Sequence, residues 1–141
     1  MRLWLEVEGV PGRREVPGGG AALVAFMSFA VSRGFGATHP LIALADRLHD
    51  AHGVRFGPLT TFYEAEAEDA EDQEKLEKAW QEAGPLATEL RKVATALDSD
   101  AALATFLRRG GAEALPADAH ALTAMLHGLE DTRRVRLVYA L

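Results

Sequence analysis

Leu86, Leu90, Val93 and Leu97 recur at steps of four, three and four, the spacing of a single helical face. A stripe of that kind has to be covered by other apolar surface, so the chain must supply partner elements around it. Several segments qualify. Residues 21–33 are almost wholly apolar up to Gly34. Pro40 to His52 carries an inward stripe of Leu41, Leu44, Ala45, Leu48 and Ala51. Thr38-His39-Pro40 is its entry and Gly53 its C-cap. A short helix with Leu103, Phe106 and Leu107 inward ends at Gly110-Gly111. Another from Ala117 to His127 buries Leu122, Met125, Leu126 and Leu129.

The two ends of the chain read differently. Leu3, Leu5 and Val7 alternate with Arg2, Glu6 and Glu8, broken only by Trp4, and Val135, Leu137 and Tyr139 alternate with Arg134, Arg136 and Val138, the period of a half-buried strand. Residues 13–16 are a candidate return strand after the turn Gly9–Gly12. Terminal strands of this kind commonly pair. The expected fold is therefore mainly α, of α+β type: a bundle of about five to six helices with a small antiparallel sheet formed by the N- and C-terminal strands, in one domain over residues 1–141. The chain has no cysteine, so disulfides, thiolate nucleophiles and cysteine-ligated metals are excluded, and packing must hold the fold together.

Net charge is −6, which speaks against a nucleic-acid partner, and the basic pairs Arg13-Arg14, Arg108-Arg109 and Arg133-Arg134 are too short and scattered to change that. Acidic residues near the N-terminus argue against a signal peptide. The longest apolar run, Ala21 to Val31, falls well short of the roughly 20 residues a membrane helix needs. A cytoplasmic protein without membrane contact is expected.

The negative charge is concentrated in one place. Residues 61–90 hold 10 acidic side chains against 2 lysines, whereas the segments on either side each carry a net +1. Thr61-Phe62-Tyr63-Glu64 has the pattern of a capping box, which predicts a long helix from Thr61 to about Ala83, stopped by Gly84-Pro85. Its acids would sit where the helix dipole favours them, and Glu74 and Lys78 would pair along it. Displayed on a projecting rod, Glu64, Glu66, Glu68, Glu71 and Glu74 could steer a basic protein partner. Trp80 and the Leu86–Leu97 stripe would form the contact of a homodimer. These residues, with Trp80 as anchor, define the candidate interaction surface of a non-enzymatic protein-binding module.

A second reading is a metal-binding protein or metal-dependent enzyme. Asp46, His49 and His52 follow one another along one side of a helix, and imidazole with carboxylate is an ordinary zinc or iron donor set. The outer two lie about 9 Å apart along the axis, so one ion could take only an adjacent pair, with further ligands drawn from the acids of residues 64–74. No other cofactor is expected. His120 and His127 fall opposite the apolar side of their helix and read as solvent-facing. Pro17-Gly18-Gly19-Gly20 has the layout of an anion-binding turn but lacks the spacing of a nucleotide motif. No catalytic residue can be assigned, because no hydroxyl is tied by a motif to a histidine.

Overall fold

The C-terminal strand organises the sheet. In the computed structural model, which describes residues 1–141, β5 (Arg134–Ala140) lies antiparallel to β1 (Arg2–Val7), from Arg2 opposite Ala140 to Val7 opposite Val135. A two-residue strand β2 (Arg14–Glu15) returns along the outer side of β1. The other side of β5 takes two short strands, β3 (Phe62–Glu64) in parallel and β4 (Gln81–Glu82) antiparallel. The order is β2-β1-β5-β3, with β4 also paired to β5. The alternation read at both ends turns Leu3, Leu5, Val7, Val135 and Leu137 into one buried face.

The chain has 6 helices: α1 (Ala21–Ala30), α2 (Pro40–His52), α3 (Ala70–Lys78), α4 (Ala83–Ser99), α5 (Leu103–Arg109) and α6 (Leu115–Leu126). The buried face of the sheet packs against the core formed by all of them but α3. Leu86, Leu90 and Val93 of α4 are fully buried, with α6 as that helix's main neighbour. The α+β bundle is as expected, though the sheet is mixed because β3 arrives parallel. Helix α2 has the expected bounds. The Nδ1 of His39 accepts from the Leu41 amide at its start, and Gly53 closes it in the left-handed region.

One expectation fails. Residues 61–83 do not form a single helix. The Thr61 hydroxyl donates back to the Gly57 carbonyl at 2.8 Å, bracing the 3-10 turn Pro58–Thr60, so it caps no helix. Phe62-Tyr63-Glu64 then pairs with β5, where aromatic side chains suit an extended backbone. The helix starts later, at Asp69, whose carboxylate accepts from the Asp72 amide at 2.9 Å. Gly84-Pro85, read as a stop, lies in the first turn of α4, where proline loses no helical bond. The Ala83 and Gly84 amides donate to Arg133 and Asp131, tying the start of α4 to the approach to β5. A Cβ at Gly84 would lie 2.7 Å from the Asp131 Cβ, so that close approach requires glycine.

The glycine turn before α1 has also found its anion. Gly18, Gly19 and Gly20 all take positive φ, and the carboxylate of Asp118, only 5% exposed, accepts from the Leu23 amide at 3.1 Å. The position that a phosphate would take at this helix N-terminus is filled by the chain's own α6. Burial pushes the Asp118 carboxyl above its ordinary value, while the amides of Leu23 and Ala22 pull the other way. Replacing this carboxylate leaves buried donors without an acceptor. Asp118→Ala should therefore lower the unfolding free energy by about 2 kcal/mol in chemical denaturation, with Asp118→Asn losing less because its amide oxygen can still accept. Equal stability of Asp118→Ala and the parent would contradict this.

Candidate interaction site at the free edge of the sheet

The fold leaves β3 as an edge strand with a groove beside it. Residues 62, 63 and 64 stand opposite Leu137, Val138 and Tyr139 of β5. Phe62 and Glu64 share the helical side of the sheet with Leu137 and Tyr139, and Tyr63 shares the other side with Val138. The Ala65 amide donates to the Tyr139 carbonyl at 2.8 Å. Alternation along the strand therefore turns the amides and carbonyls of Phe62 and Glu64 away from β5, into the groove.

The groove has a volume of about 490 Å³ and lies between the end of α1, represented by Ser28 and Val31, and α3, represented by Asp72 and Lys75. Glu64 and Glu66 add two more carboxylates, so three acids face one lysine. Its apolar surface comes from Phe62, whose ring is tilted against that of Tyr139 with centroids 5.7 Å apart, from half-exposed Val31, and from Tyr63. The two aliphatic hydroxyls present are committed to the backbone: Ser28 donates to Val24 at 2.8 Å and Thr60 to Phe56 at 2.7 Å. The groove thus combines an unpaired strand edge with an excess of carboxylates, and neither of its aliphatic hydroxyls is held next to a base.

The acidic residues named from sequence are exposed but distributed over three kinds of backbone. Glu64 is on the strand, Glu66 and Glu68 are in the connection, and Glu71 and Glu74 are on α3. Glu71 lies 3.9 Å from Lys75 and Glu74 3.1 Å from Lys78, as helical spacing allows. Asp72, Phe62, Tyr63 and Tyr139 complete the groove and were not identified. Asp72 belonged to the same acidic run, but the aromatic residues become neighbours only through the pairing of β3 with β5.

Trp80 has a partner within the chain. The guanidinium of Arg136 lies over its ring at 4.3 Å, donates to the Glu6 carboxylate at 2.7 Å and donates to the Leu76 carbonyl at 2.9 Å. Both charged side chains are less than one-fifth exposed, so the ion pair is largely shielded from solvent. Arg136 thus fastens the end of α3 to the outer face of the sheet. The stripe expected beside Trp80 is taken up within the chain: Leu86, Leu90 and Val93 are fully buried, and Leu97 packs against the same core.

The histidine set is divided among separate partners. Asp46 pairs with Arg33 at 2.9 Å, His49 lies 3.0 Å from Asp50, and His52 lies 2.8 Å from Asp100. The side chains form no cluster of three or more metal-ligating groups. His120 and His127 are exposed as expected, His120 beside Asp98 at 2.9 Å. Asp100 joins three elements, since it also accepts from Arg47 at 3.0 Å and from the Ala102 amide at 3.1 Å. The bond with His52, and then that with Arg47, hold its carboxyl down at about 2.

No protein-family model matches the chain, and no curated protein or solved structure shows significant similarity to it. No helix is long and apolar enough to cross a membrane.

A depressed carboxylate stabilises the fold above its unfolded pKa and loses that contribution as pH falls through the folded value. For Asp100 the window runs from about 4 down to about 2. Asp100→Asn should lower the melting temperature at neutral pH and flatten its decline between those two pH values. An unchanged profile in thermal melts would show that Asp100 does not join these elements.

Proposed function

We propose that this chain is a non-enzymatic cytoplasmic interaction module that docks a positively charged segment of another protein in the groove beside β3. The observation that carries this reading is the composition of α3. It is the one helix without a buried residue; it exposes Glu71 and Glu74 and brings half-buried Asp72 into the groove with Glu64 and Glu66. A helix so little involved in the core has its main physical effect on the surface, where its carboxylates raise the local concentration of cations and speed the approach of a basic partner. The net charge of −6 opposes a polyphosphate partner on the same grounds. A homodimer would have to form through exposed apolar residues such as Val31, Phe35 and Tyr63, because the Leu86–Leu97 stripe is enclosed. Metal chemistry at Asp46, His49 and His52 has less support, since each is matched to a different partner.

The test uses an acetylated, amidated hexapeptide of alternating lysine and valine, titrated calorimetrically into the protein. The double variant Glu64→Gln, Glu66→Gln should bind it about tenfold more weakly, equivalent to about 1.4 kcal/mol, and the affinity of the parent should fall with added salt. Stability should change by no more than about 0.5 kcal/mol, as for surface positions in general. Equal affinity of parent and variant at low salt would overturn the assignment.

A further inference from the structure

We infer that the partner segment binds as an added β-strand along the free edge of β3, an extended peptide with basic residues at alternate positions. The inference rests on the docking reading above and specifies its geometry.

The backbone is the first reason. Phe62 and Glu64 present their amides and carbonyls to the groove, and neither residue has a hydrogen bond there from the rest of the chain. An unpaired edge is a template for another strand. The groove also has suitable walls, with the end of α1 on the helical side of the sheet and α3 on the other. Its dimensions suit a short recognition element, because three strand residues span about 10 Å.

Side chains define the occupant. In an added strand, successive side chains point to opposite faces of the sheet. Those on the helical side meet Glu64 beside Val31, an arrangement for a lysine or arginine whose stem covers the valine and whose charge reaches the carboxylate. Those on the other side meet Tyr63, which offers apolar surface. Two β3 edges from two copies would bring Glu64 carboxylates together, so like charge disfavours a symmetric pair and favours a basic partner.

The lysine–valine hexapeptide is compared with two versions N-methylated on alternate residues. In a strand, one set of methyl groups would face β3 and the other would face away. We expect one methylated peptide to bind at least tenfold more weakly and the other to bind like the parent, together with slowed hydrogen exchange at the Phe62 and Glu64 amides. Glu64→Pro removes the outward amide while leaving the Tyr63 and Ala65 bonds to β5 in place, as edge strands tolerate. It should lose at least another tenfold relative to Glu64→Gln. If both methylated peptides bind like the parent and no amide is protected, strand addition is overturned while salt-sensitive docking on the acidic surface survives. If no peptide binds at low salt, both readings fall. Self-association in sedimentation velocity that Glu64→Pro abolishes would give the edge to a second copy and overturn the basic-peptide assignment.

Discussion

The two-sided pairing of β5 is the constraint on which the rest of the structure depends. Its seven residues meet the N-terminal strand along one side and the two short strands β3 and β4 along the other, so the last segment of the chain fixes the register of segments far from it in sequence. The apolar half of that ladder, Leu3, Leu5, Val7, Val135 and Leu137, forms the surface on which the helices pack. Full burial of side chains of this size contributes about 2 kcal/mol each, more than any exposed ion pair in the molecule can supply. Polar contacts then locate the helices on this base. Asp118 holds the start of α1, Asp100 joins α2 to the start of α5, and the Ala83 and Gly84 amides hold α4 to the approach to β5.

The same pairing sets the acidic excursion apart from the core. Between β3 and β4 the chain leaves the sheet and returns, and the excursion holds α3 and 7 of the 10 acidic residues of segment 61–90. Its end is secured by Arg136, which joins Trp80, Leu76 and Glu6 on the outer face. Past the bond from the Ala65 amide to the Tyr139 carbonyl, its beginning is held by local contacts such as the Asp69 cap and the bond from the Glu68 amide to Asp72. Like charges on such an excursion cost little, because water screens them. Placed in the core they would be prohibitive. The carboxylates can therefore be concentrated at the free edge of β3 without weakening what β5 holds together.

Much of this was legible in the residues. Alternation broken only at Trp4 and Val138 marked both terminal strands, and their pairing followed. His39-Pro40 and Gly53 bounded α2 because their backbone requirements are local. The failure over residues 61–83 came from a local rule overruled by a distant partner. Thr61 and Glu64 match a capping box, but β5 takes the backbone of Phe62 to Glu64, and no pattern within the segment announces that partner. A warning was present, since Glu64 and Glu68 would repel at helical spacing and Phe62-Tyr63 suits a strand better than a first helical turn. For the site, its charge was readable and its shape was not. Glu64 and Glu66 were identified as acids, whereas Tyr139 and Val31 join them only once β3 lies against β5 near the end of α1. Trp80 was recognised as an anchor, but its anchorage is to Arg136 in the same chain.

Residue-resolved native-state hydrogen exchange of the unliganded protein tests the central claim most directly. If the sheet around β5 carries the stability and the acidic excursion is only attached to it, amides of β5 and α4 will exchange with the free energy of global unfolding. Those of residues 70–75 will exchange through local opening at a far smaller free energy. Protection of residues 70–75 at the global level would contradict the account, because it would make the acidic helix part of the cooperative core.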